Sequence, residues 1–345
     1  MSTKKSIVFL SIYDVANVTT MWSYSLNKHS EEYEGTVICK KPHPFNYLTG
    51  HDYDYVKIKG NKMLLENIKK LITNSHRIIL SLDDLAGLKQ KKISYMTAFS
   101  KVYNINLNPF KNKTILFHPG SYYRDLHKIL DPLDNNYLKV IYCYDLERLS
   151  SLDDSKRNCL YPTIHGINEN YKNEIDQKFS TDKLYIFHIP SSKLTKRTDR
   201  IIELMKKINN NKNKIKNDFE FSCEYNLSNE NVLNKIKKGH IYIDQISDIG
   251  TFGVSSIEAM NYGNIVCSKI NNVKNRARIK ANYDNSTYLP IIELCDDKEE
   301  NIKIITELLN TDIKILKNKA HNTYNWFIQN ISYQNTCNKL EKLLN

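Results

Sequence analysis

The sequence lacks any apolar run long enough to cross a membrane. A transmembrane helix needs about 20 consecutive apolar residues, and the N-terminal run Ser6–Tyr13 is much shorter. No small-residue cleavage site follows it, so the run is not typical of a signal peptide. We therefore expect a cytoplasmic protein. Weak peripheral attachment at the inner face of an anionic membrane stays open, because the chain is basic.

Paired cysteines and concentrated charge are also missing. The seven cysteines are scattered and none forms a C-x-x-C motif, which disfavours a zinc or redox site. The net charge is +12, yet residues 1–170 carry 23 Lys and Arg against 17 Asp and Glu, and residues 171–345 carry 27 against 21. This even spread disfavours a dedicated nucleic-acid surface, so we expect no nucleic-acid partner.

Short apolar segments instead alternate with helical patterns along both halves of the chain. Short, fully apolar strands between helices indicate parallel sheets covered on both faces. The strands predicted in the first half are Ile7–Ile12, Thr36–Cys39, Arg77–Ser81, Thr114–His118 and Lys139–Tyr144, with a helix at Met63–Thr73. A polar stretch from Ser150 to about Asp182 is interpreted as the connection between domains.

A second alternating series follows this connection. Its predicted strands are Leu184–His188, Asp218–Glu224, His240–Asp244 and Asn264–Ser268, and its predicted helices are Asp199–Ile208, Asn229–Lys237, Ser255–Tyr262, Glu300–Asn310 and Asp312–Trp326. The fold class is therefore α/β, with two doubly wound Rossmann-like domains. We place them at residues 1–165 and 166–321, and expect the C-terminal helix of about 322–345 to pack back on the first. Ligands of such sheets bind beyond the carboxyl ends of the strands.

The segment 241–266 has the pattern of an anion site. A strand ends at Asp244-Gln245, a loop carries Gly250 and Gly253, and a helix follows with Glu258 near its start. Glycines allow close backbone approach and the helix start offers free N–H groups, as a diphosphate requires. The alternative interpretation is that the glycines form tight turns and that Glu258 only complements the helix dipole.

A second loop, 188–200, brings four cations to the point between a strand and a helix. They are Lys193, Lys196, Arg197 and Arg200. Positive charge here would neutralise a departing diphosphate. The alternative for each is an ordinary solvated side chain in a lysine-rich protein.

Two of these segments resemble the GT-B glycosyltransferases close to glycosyltransferase family 4. The matching residues are Glu258-Ala-Met-Asn-Tyr-Gly-Asn-Ile-Val266 and His188-x-Pro-Ser-Ser-x-x-x-Lys196, although Arg197 stands where the family usually has Gly. The resemblance implies a GT-B fold with the domains facing a central cleft. It also implies transfer of a hexose from a nucleotide sugar, such as a UDP- or GDP-sugar, to a glycan or lipid-linked hydroxyl, with retention, in glycan biosynthesis.

The resemblance also implies roles for individual residues. Glu258 would bind the ribose and Lys196 the phosphates, and no metal or other cofactor is expected. The remaining residues expected at the donor are Ser191, Arg197, Gln245, Gly250, Thr251, Phe252, Gly253 and Ser255. In the first half, weaker matches imply catalytic roles for Asp14 and His118 and acceptor contacts for Asn17 and Arg124.

One position departs from the family pattern, which has a second glutamate eight positions before the ribose ligand, where this chain has Gly250. A subgroup with Asp-Gln followed by Gly-x-x-Gly fits better, so the donor sugar stays open. Two alternative functions also stay open: a nucleotide-sugar epimerase on the same fold, and a non-enzymatic basic module that binds nucleic acid or glycan.

Overall fold

A computed structural model describes residues 3–41, 52–58, 60–82, 94–119, 137–143, 157–160, 163–167, 171–181, 183–247, 252–270 and 289–345. The chain divides into two compact units. Unit 1 comprises residues 1–165 and 331–345, and unit 2 comprises residues 166–330. Within the described ranges, no helix combines the length and the apolar character that a membrane span needs.

Unit 1 is built on a sheet in which every paired strand is parallel. Its order is β3-β2-β1-β4-β5-β6-β7, so the chain winds outward from β1 in both directions. The strands are β1 (Lys5–Tyr13), β2 (Tyr33–Lys41), β3 (Tyr53–Asp54), β4 (Arg77–Ser81), β5 (Thr114–His118), β6 (Lys139–Cys143) and β7 (Arg157–Leu160).

Both faces of this sheet are buried, because alternate residues of a strand point to opposite sides. In β1, Val8 and Leu10 belong to one apolar core, whereas Ile7 and Phe9 belong to another. The helices of the unit are α1 (Val18–His29), α2 (Tyr55–Ile58), α3 (Lys62–Asn74) and α4 (Tyr95–Tyr103). Side chains of α3 and α4 fill the first core, and Trp22 of α1 fills the second.

Unit 2 has a smaller parallel sheet in the order β12-β11-β10-β8-β9. Its strands are β8 (Lys183–His188), β9 (Asp218–Cys223), β10 (Ile241–Gln245), β11 (Ile265–Lys269) and β12 (Ile291–Leu294). Its helices are α5 (Lys172–Lys178), α6 (Lys193–Lys196), α7 (Thr198–Asn210), α8 (Asn229–Lys238), α9 (Val254–Asn261), α10 (Lys298–Asn310) and α11 (Ile313–Ile331). The predicted α/β fold with two doubly wound sheets is confirmed.

The C-terminal segment belongs to unit 1. Helix α11 ends at Ile331, and the hydroxyl of Ser332 accepts a hydrogen bond from the N–H of Asn335, which caps a final helix, α12 (Tyr333–Leu344). Leu340 and Leu344 of α12 are buried in the same core as Trp22 of α1. The last helix therefore covers part of one face of the first sheet.

Two elements lie inside the stretch 150–182 that the sequence pattern predicted as a plain connection. Strand β7 pairs with β6, and α5 precedes β8. Their patterns are weak because β7 has four residues and α5 has seven. Gly263 directly follows the predicted helix Ser255–Tyr262, and its φ angle of +61° is the left-handed conformation with which glycine commonly ends a helix.

The packing of α12 can be tested at Leu340, which is fully buried. Replacing it with alanine leaves a cavity against the first sheet, and we expect Leu340→Ala to lower the free energy of unfolding by about 2–5 kcal/mol. Urea denaturation measures the loss. The exposed Lys342 on the same helix supplies the control: Lys342→Ala should stay near the wild-type value, and equal losses in the two variants would contradict the assignment of α12 to this core.

Candidate active site in unit 2

The candidate site lies where the strand order of unit 2 reverses. Strands β8 and β10 are neighbours, and the chain winds away from them in opposite directions. In open α/β sheets, ligands bind at such a switch point, beyond the carboxyl ends of the two strands. Helix α6 follows β8 at this edge, and the loop leading to α9 follows β10.

Two opposite charges from these elements meet at the switch point. The ammonium Nζ of Lys196, the last residue of α6, lies 2.8 Å from Oδ1 of Asp244 in β10. The Asp244 side chain has no exposure to solvent, and that of Lys196 is 11% exposed. The pair therefore ties α6 to the end of β10.

The same carboxylate contacts the start of α9. The backbone N–H of Gly253, the N-cap of α9, donates a hydrogen bond of 2.7 Å to the second oxygen, Oδ2, of Asp244. Burial by itself would raise the pKa of Asp244, but the charge of Lys196 and these hydrogen bonds outweigh burial and hold the pKa below its usual value. Asp244 therefore stays ionised at neutral pH.

Gly253 leaves room for the ammonium group of Lys196. A Cβ atom at this position would lie 2.8 Å from Nζ of Lys196. The first intrahelical contact of α9 is the hydrogen bond from the N–H of Ser256 to the carbonyl of Gly253. The N–H groups of Val254 and Ser255 precede it and have no acceptor within the helix.

Two hydroxyls complete the start of this helix. Tyr242 of β10 donates a hydrogen bond of 2.8 Å to Oγ of Ser255, and its hydroxyl lies 3.4 Å from Oδ1 of Asp244. Ser256 is fully buried, and its hydroxyl interacts with Asp244 and helps to hold the pKa of that carboxyl down. The hydroxyls of Tyr242 and Ser256 therefore both lie near this carboxylate.

A β-bulge in β10 sets the position of Asp244. Against β11, Ile243 pairs with Cys267 and Gln245 pairs with Ser268, so Asp244 is the extra residue between two successive pairs. A bulge re-aims a side chain at the end of a strand. Gln245, which was predicted to contact the donor, is buried at the same end of the strand.

Glu258 lies one turn further along α9 and is 8% exposed. Burial raises the pKa of its carboxyl to about 7, although the amide of Asn229 in α8 partly offsets this effect with a hydrogen bond of 3.2 Å to Oε1. An uncharged or half-charged carboxyl in the interior is poised to accept hydrogen bonds from hydroxyl groups of a ligand. Perturbed carboxyls of this kind concentrate at functional sites.

Arg197 adopts a left-handed backbone conformation. Its φ angle is +53°, a conformation that glycine adopts without strain. The guanidinium forms a two-point contact with Asp199, at 3.2 and 3.1 Å. Of the four predicted cations, Lys193 stacks on Tyr225, Arg200 pairs with an exposed aspartate, and Lys196 is the one that is buried.

His188 connects the elements around the site. Its Nδ1 lies 2.8 Å from the carbonyl of Ile243 in β10, and its Nε2 lies 2.9 Å from the hydroxyl of Thr198 in α7. Burial lowers its pKa to about 4, so the ring is neutral, with Nδ1 donating to the carbonyl. This histidine therefore holds β8, β10 and α7 together.

The residues predicted for the acceptor side lie in unit 1. Asp14 and Asn17 follow β1, the strand at which the first sheet changes direction, and both are buried. The carboxylate of Asp14 accepts hydrogen bonds from the N–H groups of Thr19 and Thr20, each at 2.8 Å, and therefore caps α1. His118 ends β5 and is fully buried.

The remaining predicted residues divide into two groups. Gly250, Thr251 and Arg124 lie outside the described residues. Ser191 is exposed just before α6, whereas Phe252 is buried beside the N-cap of α9. The prediction of the donor residues in unit 2 stays a prediction, but Lys196, Gly253 and Ser255 do converge on one carboxylate and its neighbouring hydroxyl.

Asp244 and Tyr242 were not among the predicted ligands. The signal for Asp244 was present, because an acidic residue ends a strand directly before a glycine loop. Its contact with Lys196 joins residues 48 positions apart, and no spacing rule covers such a pair. Tyr242 reads from sequence as one more apolar strand residue.

Several solved structures have a fold similar to that of this chain. A glycosyltransferase from Rickettsia africae is similar over 99% of this chain and 98% of its own, with a TM-score of 0.59 and 14% identity. HepE from Anabaena, solved in complex with UDP-glucose, is similar over 98% and 99%, with a TM-score of 0.57 and 10% identity. A putative UDP-N-acetylglucosamine 2-epimerase from Listeria monocytogenes is similar over 99% of this chain and 95% of its own, with a TM-score of 0.52 and 13% identity.

No protein-family model matches the sequence, and no curated protein matches it. The similarity to the solved structures therefore concerns the fold. The architecture of this chain is the one shared by GT-B glycosyltransferases and UDP-sugar epimerases.

The raised pKa of Glu258 makes a prediction about stability. An acid whose folded pKa of about 7 exceeds its unfolded value of 4.5 stabilises the fold most below pH 4.5, and this contribution is lost as pH rises to 7. We expect Glu258→Gln to be more stable than wild type by roughly 3 kcal/mol at pH 8, since each pKa unit corresponds to about 1.4 kcal/mol.

Urea denaturation of both proteins between pH 4.5 and pH 8 checks this. The difference should vanish near pH 4.5. Glu307→Gln, which changes an exposed glutamate of α10, serves as the control and should show no such trend. A Glu258→Gln protein that is destabilised equally at every pH would contradict a raised pKa.

Proposed function

We propose that this protein is a glycosyltransferase that binds a nucleoside diphosphate sugar in unit 2 and transfers the sugar to a hydroxyl of a glycan or lipid-linked acceptor. One observation carries the proposal. A buried lysine, the first amides of a helix and a buried carboxyl occur together at the switch point of a doubly wound sheet. These are the groups that a nucleoside diphosphate requires.

Each group has a distinct task in this proposal. Lys196 and the N–H groups of Val254 and Ser255 bind the diphosphate, because helix starts and cations both attract negative charge. Glu258 accepts hydrogen bonds from two ribose hydroxyls, one helical turn away.

The transfer breaks the bond between C1 of the sugar and the diphosphate oxygen, and the electron pair leaves with that oxygen. A bond forms between C1 and the acceptor oxygen, on the same face when configuration is retained, and the acceptor proton passes to the departing diphosphate. The lysine and the helix start stabilise the charge that develops there. We propose that the acceptor is contacted by His118, Asp14 and Asn17. Asp14 would keep its hydrogen bonds to the start of α1 in this role.

The choice of donor is based on the similarity of the fold to that of HepE. HepE was solved with UDP-glucose, and on that basis we propose a UDP-sugar as donor, with a hexose as the transferred group. The putative UDP-N-acetylglucosamine 2-epimerase from Listeria monocytogenes has the same fold. Incubating the protein with a UDP-sugar alone separates the two activities, since an epimerase changes the donor without any acceptor.

Donor binding gives the first test. We expect at least one of UDP-glucose, UDP-N-acetylglucosamine and GDP-mannose to raise the melting temperature, because a ligand at 100 times its Kd stabilises the native state by about 2.7 kcal/mol. Glu258→Ala should lose this increase and Glu307→Ala should keep it. An absence of any increase in wild type, or an equal increase in Glu258→Ala, would count against the site.

Removal of metal ions gives the second test. Because Lys196 and the start of α9 supply the positive charge at the leaving group, we expect the rate of sugar transfer to be unchanged by excess EDTA, within about twofold. Transfer from a radiolabelled UDP-sugar to acceptor extracts measures that rate. A complete loss of transfer that Mg²⁺ or Mn²⁺ restores would show that a cation, and not the helix and lysine, balances the diphosphate.

A further inference from the structure

The two groups that would hold a phosphate on this site already share a carboxylate. Nζ of Lys196 lies 2.8 Å from Oδ1 of Asp244, and the N–H of Gly253 lies 2.7 Å from Oδ2. The charge of the lysine is therefore balanced before any ligand binds. A phosphate oxygen that contacts Lys196 must lie close to a second, permanent negative charge.

The carboxylate is held in place. Asp244 is the bulged residue of β10, has no solvent exposure and is fixed by hydrogen bonds through both oxygens. Tyr242, on the same strand, places its hydroxyl 3.4 Å from Oδ1. A rotation into solvent would break the hydrogen bond from Gly253 and the contact with Tyr242, so we expect the carboxylate to stay in place when a ligand binds.

We propose that Asp244 is a specificity-determining residue that makes the site favour a nucleotide sugar over the free nucleoside diphosphate released by transfer. This inference rests on the proposed function. In a nucleotide sugar each of the two phosphates carries one negative charge. In the free diphosphate the terminal phosphate has a second ionisation, with a pKa of about 6, so above that pH it carries one more negative charge.

The extra charge develops on the diphosphate that Lys196 and the start of α9 would hold. Near the buried Asp244 carboxylate it is poorly screened by water and salt. Repulsion therefore weakens binding of the free diphosphate more than binding of the sugar-bearing donor. The consequence is faster release of the product without a matching loss of donor affinity.

Three other ionisable side chains near Asp244 could influence the charge of the site. His188 on β8 is neutral, and burial raises the pKa of Tyr242 well above its ordinary value, so its hydroxyl stays protonated. Glu258 on α9 titrates near pH 7, but it would contact the ribose, which both ligands share. Its titration acts on the binding of both ligands, and the comparison with Asp244→Asn separates its effect from that of Asp244.

The test measures Kd by isothermal titration calorimetry for UDP-glucose and UDP, or for the nucleotide sugar that gives the largest melting shift and its own diphosphate. Asp244→Asn removes the charge and keeps an oxygen that can accept from Gly253. At pH 7.5 we expect the ratio Kd(UDP)/Kd(UDP-glucose) to fall about tenfold in this variant, because UDP gains the most. A purely structural role would weaken both ligands together and leave the ratio unchanged, which would overturn the inference.

The pH dependence of wild type gives a second measurement that needs no variant. Between pH 5.5 and pH 7.5 the terminal phosphate ionises, and the ratio Kd(UDP)/Kd(UDP-glucose) should rise several-fold. A flat or falling ratio overturns the inference even if Asp244→Asn does not fold. When Asp244→Asn folds, its ratio should change much less over the same range.

The matched control is Asp297→Asn. Asp297 is an exposed carboxylate that caps α10 in the same unit and accepts the N–H of Glu300 at 2.8 Å. Its loss should leave the ratio as in wild type, and an equal change in both variants would overturn the assignment to Asp244. Failure of wild type to bind either ligand would instead overturn the proposed function.

Discussion

Asp244 carries a negative charge at a position with no exposure to solvent, and Lys196 balances it from another element. Removing one partner of such a pair typically costs about 3–5 kcal/mol, because the other charge is then buried alone. The end of β10, the end of α6 and the start of α9 must therefore stay together whenever unit 2 is folded. The lysine and the helix amides that we assign to a diphosphate are positioned by this requirement.

A related arrangement occurs at the corresponding edge of unit 1. Asp14 follows β1, where the first sheet changes direction, and its carboxylate accepts N–H groups from the start of α1. In unit 1 the carboxylate is satisfied by amides and a hydroxyl. In unit 2 it also has a buried cation. Binding of an anionic ligand is therefore better supported in unit 2, where the charged lysine is buried.

The site in unit 2 contains groups that work against stability. Glu258 is buried with a raised pKa, and Arg197 adopts a left-handed backbone. Such features commonly concentrate at functional sites, since the surrounding fold maintains them for a purpose other than stability. Their occurrence around one switch point favours a ligand site over an ordinary helix start.

Much of the fold could be predicted because its strands are short, apolar and buried on both faces, and each is separated from the next by a helical pattern. Thr114–His118 and Arg77–Ser81 were predicted with the bounds that the structure shows. Strand β7 and helix α5 were missed because short elements carry little periodicity and gain their stability from tertiary packing.

The sequence alone determined the alternation that produces two parallel sheets, the glycine at the left-handed end of α9, and the loops in which lysine and glutamate lie near helix starts. The alternation, the glycine and the placement of Lys196 and Glu258 close to helix starts are local properties, set by the neighbours of each residue along the chain. Only the tertiary structure decided that Lys196 meets Asp244, that Gly253 leaves room for the lysine, and that Glu258 is buried beside Asn229. Those contacts join residues far apart in sequence, and strand order, burial and the bulge in β10 bring them together.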